Sequence, residues 1–330
     1  MHDIFFRLAE ANDGYFARHE FLDSGYTDDH LRQALRDNAI LRIRHGTYAP
    51  AAAFTALSPE GKHRVLAHSV ADRLGHAVAI SHVSSATEYE LATYGVNLAI
   101  VHLTRLDSSS GRREAGVIHH KGLLVADRDL REINGRLYVE PVRAVAETCT
   151  LVSIESGMVT ASSALRLNLA TKDQLFEMAA QLDRWRGVRG ARIAFQLSDK
   201  RFESVGEVRS FHMCWRWNIP RPELQFEVFD SAGRLIGRTD FAWPEFRHIG
   251  EFDGLVKYGR LNPYSTDPGR AIVDEKRRED AIRSEALGAS RWTWSEVAPS
   301  QQRRTTDMIK QGMEQSRRLY LRNAVTIPLR

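Results

Sequence analysis

An α+β, multidomain protein is what this sequence predicts, on three observations. At 330 residues the chain is long enough for about two or three separate cores. Its first fifty residues read as helix, helix, helix, hairpin. From about residue 201 the order is helix, three strands, long polar loop, helix, strand and a basic helix. Residues between these segments mix helices and strands, so the expected domains are 1–50, 51–200 and 201–330.

Hydrophobic residues make up 43% of the chain and charged residues 27%, which places it among ordinary globular proteins rather than disordered ones. A net charge of +4 permits a polyanionic partner without demanding one. The bias is stronger in the last thirty residues, where seven Arg or Lys stand against Asp307 and Glu314. Two cysteines, Cys149 and Cys214, fit a reducing compartment and exclude a disulfide framework. The opening MHDIFFRLAEAND is an amphipathic helix pattern carrying acids, unlike a signal peptide. No apolar run approaches the ~18 residues a membrane helix needs. A cytoplasmic protein without a membrane partner is expected.

The first helix covers about 3–11 and stops at Asn12-Asp13-Gly14. A second runs from Ala17 to Leu22 and ends at Ser24-Gly25. Thr27 stands where an N-cap belongs, with Asp28 and Asp29 in the favoured first turn of a third helix. On that helix Leu31 and Leu35 share a face, with Arg32 and Arg36 beside them. The segment ILRIRHGTYAP then alternates Ile40, Arg42 and Arg44 against Leu41 and Ile43, with His45-Gly46 as the turn. Three helices followed by a basic hairpin form the winged-helix version of the helix-turn-helix motif, whose third helix enters a major groove. Arg32, Arg36, Arg42, Arg44 and His45 are therefore the expected contacts to DNA phosphates; a solvated charged face is the alternative.

In the middle region, apolar periodicity predicts helices near 62–74, 83–93, 142–151, 157–167, 173–184 and 189–197. Strands are expected at 98–104, 116–119 and 136–140, and DSSSGRREAG (107–116) reads as a polar loop. The arginine-rich RWRGVRGAR (184–192) reads as a solvated helix end or linker. His82, His102, His119 and His120 lack zinc-type spacing and cysteine companions, so they are read as structural. No phosphate-loop, nucleophile-elbow or dinucleotide glycine motif is present.

The chemistry concentrates in GRTDFAWPEFRHIGEFDG (237–254). Strong β-formers on either side of Pro244-Glu245 predict antiparallel strands near 234–243 and 247–253. Alternation puts Glu251 and Asp253 on one face, which Asp240 approaches from the neighbouring strand. Three converging carboxylates repel one another and are costly to bury. A hard cation such as Mg²⁺ or Mn²⁺ relieves both problems, because it takes oxygen ligands and offsets their charge. Such an ion would activate water and stabilise charge on phosphorus, so phosphodiester hydrolysis is the expected reaction. Asp240 and Glu251 would ligate it, and Asp253 would ligate it or orient water. Glu203 and Glu207, at i,i+4 on a helix over 203–217, share a face, and Glu207 is a further candidate ligand. A cation is also needed to neutralise the pentavalent phosphate, and Lys257 and Lys276 are the candidates. Exposed acids on a ribbon edge, and a solvated helix for DEKRREDAIR, are the plain alternatives.

With these residues in place, the chain resembles a group of actinobacterial proteins that fuse an AbiEi-type antitoxin winged helix to a restriction-endonuclease-like domain. LRQALRDNAILRIRHGTYAP is similar to their third helix and wing, and SHVSSATEYEL and VHLT to their middle portion. ESVGEVRSF, IPRPELQ, GRTDFAWPE, GEFDGLVKYGR and EKRREDAIR followed by RWTW are similar, in that order, to their C-terminal half. That order also resembles the Vsr-like branch of the PD-(D/E)xK nuclease fold, with its αβββαβ core. The resemblance implies that Glu207 is the acid of the first helix, Asp240 the strand aspartate and Glu251 the acid of the (D/E)xK element. Asp253 stands in the place of that element's lysine, and Lys276 on the following helix is its implied substitute. Two functions are implied. One is a Mg²⁺-dependent endonuclease on duplex DNA, in phage defence or a toxin–antitoxin context. The other is a non-enzymatic AbiEi-like antitoxin and autorepressor that binds a cognate toxin.

Overall fold

The computed structural model describes residues 2–107, 111–254 and 285–321. The chain divides into two compact units, Met1–Gln196 and Leu197–Arg330.

The first unit begins with α1 (His2–Ala11), β1 (Phe16–Ala17), α2 (Arg18–Asp23), α3 (Asp28–Arg36), β2 (Ile40–Arg44) and β3 (Thr47–Pro50). Thr27 caps α3 as its sequence suggests, with Oγ1 accepting from the His30 N–H at 3.4 Å. The short β1 joins the hairpin to give an antiparallel sheet ordered β1-β3-β2. Phe5, Phe16, Phe21, Leu31 and Ile40 are buried together, so the apolar face of α3 closes a small core of its own.

There follow α4 (Ala51–Ala56), α5 (Pro59–Leu74), β4 (Val78–Ile80), α6 (His82–Glu88), β5 (Val101–Arg105), β6 (Arg112–Glu114) and β7 (Val117–Lys121). After these come α7 (Ala126–Asp129), β8 (Leu130–Ile133), β9 (Arg136–Val139), α8 (Pro141–Leu151), α9 (Ile154–Arg166), α10 (Lys172–Gln181) and α11 (Val188–Leu197). Strands β4 to β9 form one mixed sheet ordered β6-β7-β5-β4-β9-β8. Val78, Ile80, Val101, Leu103, Val117 and Tyr138 pack against Ala67, Val70 and Ala71 of α5. Ala79 and Val139, one residue out of phase, pack instead with Ala144 of α8, so both faces of the sheet are covered.

Departures from the expected elements are local. Residues 112–114 of the expected polar loop pair with β7 as β6. The helix expected to reach 93 stops at Glu88, and the strand expected from 98 begins at Val101. Strands β4 and β8 are too short for alternation to register in the sequence. Arg136, only 8% exposed, binds the N-terminal elements to this sheet. Its guanidinium reaches Asp13 at 2.5 Å and Asp72 at 2.6 Å, and the Tyr15 hydroxyl donates to Asp72 at 2.5 Å. Residues 1–50 and the mixed region therefore share one unit.

The second unit contains α12 (Val205–Arg216), β10 (Glu223–Phe229), β11 (Leu235–Trp243), β12 (His248–Asp253), β13 (Gly288–Thr293) and α13 (Gln302–Ser316). Its sheet is ordered β10-β11-β12-β13, antiparallel except for the parallel pair β12 and β13. One face of the sheet meets the helices. Trp292 Nε1 donates to Ser210 of α12 at 2.7 Å, and His248 is held between Ser290 and Ser316. The helix expected over 300–322 gives way at Arg317 to a π-helical turn. The helix expected over 273–287 lies almost wholly outside the described residues. No helix among the described residues is long and apolar enough to cross a membrane.

Candidate carboxylate site

The turn at Pro244–Phe246 sets the register of β11 against β12, pairing Phe241 with Gly250 and Ala242 with Ile249. One step further the same register faces Asp240 with Glu251. There the backbone ladder is replaced by a side chain: Asp240 Oδ2 accepts from the Phe252 N–H at 2.8 Å. Glu251 stands beside Arg291 of the parallel strand β13, and their ion pair is 2.7 Å long. Asp253 lies two residues along β12, hence on the Glu251 face, in register with Thr293.

Glu207 stands on α12, and its setting corrects the sequence reading. The helix begins at Val205, not 203, because Ser204 is its N-cap. Glu203 therefore lies before the helix, and its carboxylate pairs with Arg238 at 2.6 Å. Glu207 is buried and accepts from three donors: Glu203 N–H at 3.0 Å, Ser204 Oγ at 2.7 Å and Gln225 Nε2 at 2.9 Å. Gln225 lies on β10 between Leu224, paired with Phe241, and Phe226, paired with Thr239, and has a left-handed φ of 54°. A non-glycine residue in that region costs on the order of 1–3 kcal/mol, and such strain collects at functional sites. Gln225 thus ties the helix acid Glu207 to β10.

Burial raises the Glu207 pKa above the ordinary carboxylate value, outweighing the donors that lower it. The folded state then holds this proton more tightly than the unfolded chain does. That contribution to stability is complete below the unfolded pKa and is lost as pH rises through the folded one. Glu207→Gln is accordingly expected to melt higher than the parent near pH 8 and to lose that advantage near pH 3.5. Thermal denaturation at both pH values checks this, and an equal shift at both would contradict it.

Carboxylate donors such as Asp240, Glu251, Asp253 and Glu207 suit Mg²⁺ or Mn²⁺ rather than a thiolate- or imidazole-seeking ion, but no three of these acids bring ligand oxygens within 4.8 Å of one another among the described residues. Lys257 and Lys276, the expected cations, lie outside the described residues. Arg291 and Gln225 are participants that the sequence reading did not single out. Of the expected DNA contacts, Arg32, Arg36, Arg42 and His45 are exposed. Arg32 pairs with Asp29 at 2.6 Å, and Arg36 donates to Gln33 at 2.5 Å. Arg44 differs. Its guanidinium is partly buried and donates to the Ala115 carbonyl at 3.3 Å, and burial lowers its pKa.

No family model matches the chain. Two proteins of Mycobacterium tuberculosis are similar to it, the uncharacterized protein MT2308 of strain CDC 1551 / Oshkosh and the uncharacterized protein Rv2248 of strain ATCC 25618 / H37Rv. Each is 27% identical over 272 residues, covering 77% of this chain and 93% of the relative.

Proposed function

We propose that the protein is a DNA-associated, Mg²⁺-dependent endonuclease-like protein that hydrolyses phosphodiester bonds. The observation that carries this reading is the antiparallel register of β11 and β12, which continued by one residue faces Asp240 with Glu251, together with the Asp240 carboxylate held by the Phe252 N–H. The helix–strand–strand–strand start of the second unit and its mixed sheet support a PD-(D/E)xK fold of the Vsr-like branch. Asp240 and Glu251 would hold the cation, with Glu207 and Asp253 flanking them. When bound, Mg²⁺ supplies the charge that offsets the anionic phosphate. Asp253 orients the attacking water, and the P–O bond on the far side breaks as the new one forms. Arg291 contributes fixed positive charge at Glu251, where Asp253 has displaced the fold's usual lysine.

The first fifty residues would act as a winged helix-turn-helix, with Arg32, Arg36, Arg42 and His45 on duplex DNA and Arg44 as a seat for the wing. Non-specific phosphate contacts of this kind weaken steeply with salt. Phage defence or a toxin–antitoxin system is the context this supports.

Calorimetric titration of Mg²⁺ and Mn²⁺ into the parent and into Asp240→Ala, with plasmid nicking on both samples, tests the proposal. Uptake is expected to weaken on the order of tenfold or more in the variant, and nicking to fall with it. Asp253 in the lysine position favours a second reading, a non-enzymatic AbiEi-like antitoxin and autorepressor with a cognate toxin. Tight DNA binding by the parent without metal uptake or cutting would establish that reading and end the first.

A further inference from the structure

In the first unit, three imidazoles from three separate elements meet. His82 opens α6, His102 lies on β5 and His120 on β7, and one ligand nitrogen of each falls within 4.8 Å of the others. The sheet makes this meeting. Parallel pairing sets His102 beside Ile118 and Thr104 beside His120, so His102, Thr104 and His120 share one face. His119 takes the opposite face, near Glu114. His102 Nδ1 and His120 Nε2 are 2.9 Å apart, and the His82 ring lies 3.7 Å from that of His120, centroid to centroid.

His82 is fixed from behind. Its Nδ1 lies 2.9 Å from Ser81 Oγ and 3.2 Å from Glu147 Oε2. A proton on Nδ1, donated to that carboxylate, leaves a lone pair on Nε2; this is how metal-binding histidines are oriented. His82 Nε2 is fully buried and has no hydrogen-bond partner among the described residues. Thr104 Oγ1, on the face shared by His102 and His120, is likewise buried without one. Each buried polar atom left unsatisfied costs about 1–3 kcal/mol. His82 also holds a left-handed φ of 52°, a strain that persists only where surroundings enforce it. Two orphaned atoms at one histidine cluster call for an occupant.

We propose that His82, His102 and His120 form a transition-metal site, and that Zn²⁺ is the ion it takes. Three imidazole ligands with an open fourth position are a zinc arrangement, whereas Mg²⁺ seeks oxygen. The stacked His82 and His120 rings do not point at one centre as they stand. Uptake therefore turns one of them about its Cβ–Cγ bond, and Trp185, 6.0 Å from His82 centroid to centroid, senses that turn.

The test is Zn²⁺ uptake by the full chain after chelator stripping, with Mg²⁺ in excess to occupy carboxylates, and Co²⁺ as a spectroscopic substitute. One Zn²⁺ per chain is expected, with Co²⁺ absorption bands of a nitrogen-ligated tetrahedral site. His120→Ala, at the least buried of the three positions, should reduce affinity at least a hundredfold. Glu147→Gln should reduce it about 10–100-fold through the His82 tautomer, and Asp240→Ala should leave it unchanged. No uptake by the parent overturns the site. So does uptake that is undiminished in whichever of His120→Ala and Glu147→Gln keeps the parent's circular dichroism.

Discussion

Replacing Arg143 by methionine is expected to destabilise the protein by about 3–5 kcal/mol at neutral pH, the usual result of removing one partner from a buried ion pair. Asp129 and Glu147 are both fully buried, and Arg143 is 2% exposed between them. Its Nε donates to Glu147 at 2.8 Å and its Nη1 to Asp129 at 2.9 Å. Asp129 keeps a second cation, Arg128 at 2.7 Å. Burial alone would raise its pKa, but Arg128, the Val125 N–H and Arg143 together hold it low. Glu147 is less secure. Burial raises its pKa even against Arg143, and what remains without the guanidinium is His82. A carboxyl with a raised folded pKa favours the folded state below the unfolded pKa of about 4.3 and loses that contribution as pH rises. The defect in Arg143→Met should therefore be largest near pH 8 and shrink near pH 4.5. Adding Glu147→Gln should restore part of the loss, since a neutral amide has no charge to leave unpaired. Urea unfolding of the single and double variants at both pH values measures this. A loss under about 1 kcal/mol near pH 8 would show that Arg143 is not the counter-ion these two acids depend on.

What the sequence reveals of this molecule follows the range of the interactions involved. The α3 cap at Thr27, the hairpin around His45-Gly46 and the strands on either side of Pro244 are local, so capping chemistry and alternation suffice to find them. A tight turn also fixes register, which is why the antiparallel pairing of Phe241 with Gly250 can be read from residues nine apart. The start of α12 was open to the same reading, because Ser204 and Glu207 form an S-x-x-E pattern that ends the run of helix at the serine. Arg291 is different in kind. It reaches Glu251 only through the parallel pairing of β12 with β13, which no local pattern encodes. The left-handed backbone at Gln225 runs against the residue's own preference, so its sequence carries no hint of it. The histidine cluster is the extreme case. His82, His102 and His120 are brought together by a helix start and two parallel strands, so ligand spacing along the chain carries no trace of it. Arg44 shows the converse: alternation puts it on the Arg42 face, but a bulge between the two pairs Arg42 with Tyr48 and Arg44 with Thr47, and the Ala115 carbonyl that accepts from Arg44 comes from a distant hairpin.

The second large effect is expected at Gly206, where a single methyl group should damage both the fold of the second unit and its carboxylate site. A Cβ at this position would lie 1.9 Å from Phe252 Cε1 and 2.4 Å from both Cδ1 and Cζ, inside the contact distance of any carbon pair. The backbone of Gly206 is helical, so the objection is space and not conformation. Phe252 has little freedom to withdraw, because its ring stands edge-on to Trp294 at 5.0 Å. Overpacking of this kind costs about 1–3 kcal/mol and more where the neighbour is pinned, so Gly206→Ala should lie at or above the top of that range. Function should fall with it. Phe252 lies between Glu251 and Asp253 on β12, and its N–H is the donor that holds Asp240, so a displaced ring moves three of the four proposed ligands. Urea unfolding and Mg²⁺ titration of Gly206→Ala should both deteriorate, and Phe252→Leu in the same chain, which trims the ring, should recover part of each. An unchanged unfolding midpoint would mean that α12 does not press on β12 at this point. Lost stability with undiminished Mg²⁺ uptake would instead separate the packing of Phe252 from the geometry of the carboxylates, and the metal would have to be held without Asp240.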